Sequence, residues 1–83
     1  MDPRRKKLLI QSQHCGMKEN DFLLGRYAQA VIETLSDEDV AAFEALLLES
    51  DNDIYLWVTE REPLPPHLDN AFMSGLIAFN RVD

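Results

Sequence analysis

Disulfide chemistry is closed to this chain, because its 83 residues include one cysteine, Cys15. That economy fits a reducing compartment. Turn formers are also scarce, three glycines and four prolines, fewer than a β-sandwich with its many short connections would need. No apolar run approaches the ~20 residues that cross a bilayer, so direct membrane insertion is not expected. The N-terminal segment carries positive charge but lacks the apolar stretch and cleavage site of a secretory signal. Asp2, Glu19 and the shortage of serine also separate it from a mitochondrial transit peptide. Basic residues are outnumbered, eight lysines and arginines against fifteen acids, for a formal net charge of −7. Half of the basic side chains sit together in Arg4-Arg5-Lys6-Lys7, which leaves the rest more acidic still. Such a body repels phosphate backbones and argues against nucleic acid as a partner.

What is present is a helical hydrophobic pattern. The hydrophobic fraction of 46% supports one core, and the length supports one domain over 1–83, with flexible ends near 1–3 and 81–83. Pro3 suits a first helical position, and a first helix is expected to run to about Gln13 with Leu8, Leu9 and Ser12 inward and Gly16 as its stop. A second helix is expected from Lys18 to Leu35, with Leu23, Tyr27, Ala30, Val31 and Leu35 on one stripe flanked by Leu24 and Ile32. Gly25 inside it gives up ~1 kcal/mol of helix propensity, which a close neighbouring helix would explain. Ser36 reads as the N-cap of a third helix, with Asp37, Glu38 and Asp39 in the first turn and Val40, Phe43, Leu46 and Leu47 inward. A short fourth helix follows, capped by Asp51 or Asn52, with Ile54, Trp57 and Val58 inward. The Pro63-Leu64-Pro65-Pro66 segment forces an extended connection. A fifth helix then opens at Pro66 or His67 and carries Leu68, Phe72, Leu76 and Phe79. Helices this short need a shared core. The pattern therefore predicts an all-α, compact five-helix bundle, and a monomer.

Constellations for chemistry are thin. The chain has no glycine-rich phosphate loop and no nucleophile elbow. His14 and Cys15 are neighbours and His67 is distant, so the spacing of a zinc site is missing. The same adjacency spoils a Cys–His nucleophile pair. Asp51-Asn52-Asp53 lacks the later glycine and glutamate of a calcium loop. No catalytic residue, metal or intrinsic cofactor is expected.

The informative stretch is the polar corner between the first two helical patterns, Cys15-Gly16-Met17-Lys18-Glu19-Asn20-Asp21, running into Phe22-Leu23-Leu24-Gly25-Arg26-Tyr27. Gly16-x-x-Glu19, then Asp21 and Leu24-Gly25-Arg26, resembles the succinate dehydrogenase assembly factor family, the flavinylation factors, in its small bacterial form. Arg4-Arg5-Lys6-Lys7-Leu8-Leu9, Leu35-Ser36-Asp37-Glu38, Phe43-Glu44-Ala45-Leu46-Leu47 and Asp51-Asn52-Asp53-Ile54-Tyr55-Leu56-Trp57 continue the likeness over nearly the whole chain. One position departs from it: the family's arginine before the glycine is Cys15 here, and a thiol lacks the forked donors of a guanidinium.

The resemblance implies an assembly factor or chaperone of the respiratory chain, not an enzyme. It would bind the flavoprotein subunit of succinate dehydrogenase, or the related fumarate reductase subunit, and promote covalent attachment of FAD to that client. It implies a client-facing centre at Gly16 and Glu19, with Cys15, Lys18 and Asp21 beside them and Arg4 and Arg5 in a basic rim. Taken alone, Glu19 is an ordinary first-turn glutamate favoured by the helix dipole. The implied compartment is the bacterial cytoplasm, or the mitochondrial matrix for a processed eukaryotic form. The competing class is another small acidic interaction module, such as an antitoxin-like regulator, which binding to a flavoprotein subunit would separate.

Overall fold

The protein's structure, a computed structural model, describes residues 1–81. Among these residues the order is α1 (Pro3–Ser12), α2 (Lys18–Val31), α3 (Asp37–Leu46), α4 (Asp51–Val58), a 3-10 turn (Pro66–Leu68) and α5 (Ala71–Asn80). The result is the all-α five-helix bundle that the periodicity predicts, in one compact domain with a radius of gyration of 11.6 Å. Within the expected flexible end 1–3, Pro3 is the first residue of α1. Asp2 is the N-cap of α1, and its carboxylate accepts the Arg5 backbone N–H at 2.8 Å. Of the expected flexible end 81–83, Val82 and Asp83 lie outside the described residues.

Caps explain where most helices begin. Ser36 accepts from Asp39 N at 3.1 Å to open α3. Ser50, rather than Asp51 or Asn52, accepts from Asp53 N at 3.2 Å to open α4. Asn70 accepts from Met73 N at 2.9 Å to open α5. The turn after Pro65 closes at Leu68, and α5 starts three residues later than the 3-10 segment ends, so Pro66 and His67 do not open α5. At the end of α4, Glu60 adopts φ 61°. Arg61 N donates to Leu56 O at 2.8 Å and Glu60 N to Trp57 O at 3.1 Å, the paired bonds of a Schellman close.

Helix α2 is the hub, touching α1, α4 and α5, while α3 closes against α1 and α5. Its buried line is Leu24, Ala28 and Ile32, with Asn20 and Gly25. Leu23, Tyr27 and Val31 are only half-buried and Ala30 is exposed. The expected stripe is thus rotated by one position. The reason is at Gly25, where an added Cβ would stand 3.2 Å from Gln13 Cγ and 3.5 Å from Ser12 O. The missing side chain lets the end of α1 settle onto α2 and turns the Leu24 side inward. The close neighbour expected for Gly25 is the end of α1.

The core is Leu8 of α1, the α2 line, Val40, Phe43 and Leu46 of α3, Ile54 and Val58 of α4, and Leu68, Phe72, Met73 and Leu76. Phe43 stacks on Phe72 with centroids 4.8 Å apart. Tyr27 packs edge-on against Phe72 and Phe79. Trp57, expected in the core with Ile54 and Val58, is half-buried at its edge. An eight-residue helix has one narrow inner line, and Ile54 and Val58, four apart, fill it.

Candidate functional site

The corner between α1 and α2 owes its shape to three internal contacts. Helix α1 ends at Ser12 with Gln13 as its C-cap, and Gly16 does not take a left-handed backbone, so it does not stop α1 in the way expected of it. Gly16 matters for space instead: a Cβ there would collide with Asp51 Oδ2 at the start of α4. The Asp21 carboxylate reaches back from α2 and accepts the Cys15 backbone N–H. Asn20, fully buried, donates from Nδ2 to Asp51 O at 2.8 Å, which ties α2 to α4.

These contacts sort the expected site residues. Gly16, Lys18 and Glu19 are exposed and adjacent, and neither Lys18 nor Glu19 has an ion-pair partner among the described residues. Cys15 and Asp21 are half-buried and turned toward the corner itself. Burial first, then the negative charges of Asp21 and Asp51, push the Cys15 thiol up to about 11. Cys15 is therefore a protonated thiol near neutral pH, with none of the thiolate character of a nucleophile.

Arg4 and Arg5 are elsewhere, near the first turn of α1, roughly 12 Å along the helix from Ser12. Arg4 makes a forked pair with Glu44 of α3, at 2.6 and 3.0 Å. Arg5, with its side chain 16% exposed, donates to Ile32 O at 2.6 Å and pairs with Asp2 at 3.1 Å and Asp37 at 3.5 Å. The expected basic rim is thus drawn into intrachain pairs at Arg4 and Arg5. Only Lys6 and Lys7 of that run are exposed and without an ion-pair partner among the described residues.

Beside Lys18 and Glu19 opens a groove of about 400 Å³ between α2 and α4, lined also by Phe22, Leu23, Tyr55 and Thr59. Phe22 is 59% exposed. The Arg26 guanidinium lies 4.6 Å from the Phe22 ring centroid, and Arg61 lies 5.6 Å from that of Tyr55. Sequence reasoning singled out neither aromatic. The available signal was Phe22's place off the apolar stripe, four residues after Lys18 and four before Arg26, where neighbours on a helix face meet. Among the described residues no three His, Cys, Asp or Glu side chains are placed to hold a metal ion, and no helix is long and apolar enough to cross a membrane.

Residues 6–80 match the family described as flavinator of succinate dehydrogenase. The chain is 36% identical over 75 residues to "Succinate dehydrogenase assembly factor 2, mitochondrial" of Drosophila virilis, covering 88% of the chain and 48% of that relative. It is 38% identical over 79 residues to assembly factor 2-A of Drosophila sechellia, covering 93% and 48%. With assembly factor 2-A of Drosophila mojavensis it shares 35% over 78 residues, covering 92% and 50%. The chain spans about half the length of the curated relatives it matches. These relatives are insect proteins with mitochondrial names, not the small bacterial form suggested by the resemblance. A match over nearly its whole length, with the corner, most of α1 and all of α2 to α5 inside it, means that the chain belongs to the succinate dehydrogenase flavinator family.

Proposed function

We propose that this chain is an assembly factor that binds the flavoprotein subunit of succinate dehydrogenase, or the related fumarate reductase subunit, and promotes covalent attachment of FAD to it. The observation that carries this reading is the family match across residues 6–80, which includes an exposed corner at Gly16, Lys18 and Glu19. FAD is the client's cofactor, and the bond-making chemistry belongs to flavin and client. The factor's part is to hold the client in a competent geometry, as a monomer. Gly16 lets the client backbone approach, and Glu19 offers a carboxylate with no ion-pair partner among the described residues. Cys15 and Asp21 support the corner from beneath. Arg4 and Arg5, engaged with Glu44, Asp2 and Asp37, act on the client only through the summed field of the surface. The compartment follows the client. The relatives' names put them in mitochondria, and a bacterial client would put the same encounter in the cytoplasm.

The test is covalent flavin on the client in cells lacking their own factor, with each variant's expression and melting measured in parallel. Gly16→Arg is expected to act most strongly, because it adds bulk where the backbones meet and against Asp51. Glu19→Ala is expected to lower flavinylation with little change in the factor's stability. Cys15→Arg is expected to keep or raise it, since Asp21 and Asp51 flank that position. Normal flavinylation by both Gly16→Arg and Glu19→Ala, at matched expression, would falsify the assignment.

A further inference from the structure

We propose that the groove between α2 and α4 seats an apolar side chain from a carboxylate-bearing segment of the client; this rests on the flavoprotein-client reading and adds what is recognised. Two independent features support it. The first is shape and polarity. The groove of about 400 Å³ has an aromatic wall on each side, Phe22 from α2 and Tyr55 from α4, with Leu23 as its floor and Lys18 and Glu19 at its edge. That is the form of a side-chain pocket, apolar within and polar at the rim. It opens directly onto the corner, so a client lying across Glu19 also crosses the groove.

The second feature is charge. On a chain of net charge −7, Arg4, Arg5 and Arg81 are committed to intrachain carboxylates. Lys6 and Lys7 on α1, and Lys18, Arg26 and Arg61 on this side, have no ion-pair partner among the described residues; Lys18 lines the groove, and Arg26 and Arg61 lie over Phe22 and Tyr55, two of its lining rings. Arg26 lies on Phe22, and also 5.3 Å from the Phe79 centroid, while Arg61 lies on Tyr55. A guanidinium held over an aromatic ring by cation–π attraction keeps N–H donors for a carboxylate. The lone acid lining the groove is Glu19. An incoming segment with an apolar residue beside an Asp or Glu satisfies both features. A basic segment satisfies only the first.

The experiment measures binding of the purified full chain to purified flavoprotein subunit that lacks covalent flavin, at several salt concentrations. Phe22→Ala is expected to weaken binding about tenfold or more, as loss of an aromatic anchor does, while melting is unchanged because Phe22 is exposed. Phe22→Leu restores most of the affinity. Arg26→Gln with Arg61→Gln flattens the salt dependence of binding. If Phe22→Ala binds like the wild type while Glu19→Ala is weakened, the groove proposal is overturned and the client reading stands. If Gly16→Arg and Glu19→Ala also bind like the wild type, the client reading itself falls. An unchanged salt slope in the double arginine variant overturns the carboxylate half of the proposal. Sedimentation of the chain alone supplies the remaining outcome: a dimer that Phe22→Ala dissolves would make the occupant a second copy and contradict the proposal.

Discussion

Two flanks of this bundle use the same residue types for opposite ends. On the α1–α3 flank, arginine is structural: Arg4 forks onto Glu44, and Arg5 fastens Asp2, Asp37 and the Ile32 carbonyl at the end of α2. On the α2–α4 flank, Arg26 and Arg61 lie over aromatic rings and Lys18 is exposed at the groove. The densest basic run in the sequence therefore loses half of its charge, Arg4 and Arg5, to intrachain pairs, and only Lys6 and Lys7 of it stay open. The dispersed cations Lys18, Arg26 and Arg61 all stay free of ion pairs among the described residues. Charge density along a sequence and charge availability on a surface are different quantities, and recognition depends on the second.

The contrast predicts opposite responses to substitution. The largest effect on stability belongs beneath the clamped flank. Phe43, fully buried and stacked on Phe72, is expected to cost about 3–5 kcal/mol when cut to alanine, most of the stability of a domain this small. Urea denaturation measures it. Trp57→Ala, at the edge of the core, is expected to cost clearly less, and equal losses would mean that the edge and the centre are not distinct.

Next comes Arg5→Ala. Its guanidinium is largely covered and donates to a main-chain carbonyl, so removal is expected to cost about 1.5–3 kcal/mol, the range for hydrogen bonds to a charged group. Lysine is not expected to rescue it, because one ammonium does not reach Ile32 O, Asp2 and Asp37 together. Client binding per folded molecule is expected to stay unchanged. A loss of binding with stability intact would move Arg5 from the clamp to the interface.

The smallest effect is a pH dependence at the corner. Burial, Asp21 and Asp51 raise the Cys15 thiol to about 11. The folded chain then holds a proton that the unfolded chain releases nearer the ordinary thiol value of ~8.5. More protons bound in the native state means that stability falls as pH rises. The contribution is full below the unfolded value and is lost as pH climbs through about 9 to about 11. Thermal melts over that window, compared with Cys15→Ser, check the sign. A wild type no more alkali-sensitive than the variant would contradict the burial argument. Slow reaction with a thiol reagent near neutral pH follows from the same cause.

Much of this was legible in the residues. The five helices, Ser36 as a cap, Phe43 and Leu46 in the core and a close helix at Gly25 follow from period and capping. The parts that were not legible depend on which helix lies against which. The stripe of α2 turned by one position because the end of α1 settles on Gly25, a contact that no one-helix pattern contains. Ser50 took the cap expected of Asp51 or Asn52 because the chain turned one residue earlier, and Asp51 then came to stand over Gly16. The polar corner and the family likeness pointed to Gly16, Lys18 and Glu19, which the structure places exposed and adjacent. They did not point to Phe22, Tyr55 and Asn20, since the surroundings of these residues are made jointly by α2 and α4, helices that are not neighbours in sequence.

The most direct test of the account places a photo-activatable crosslinker at position 19 on the open flank, and separately at position 44 on the clamped flank, in otherwise unaltered chains mixed with the flavoprotein subunit. The account predicts strong crosslinking to that subunit from position 19 and little from position 44. Crosslinks from position 44 with none from position 19 would contradict it.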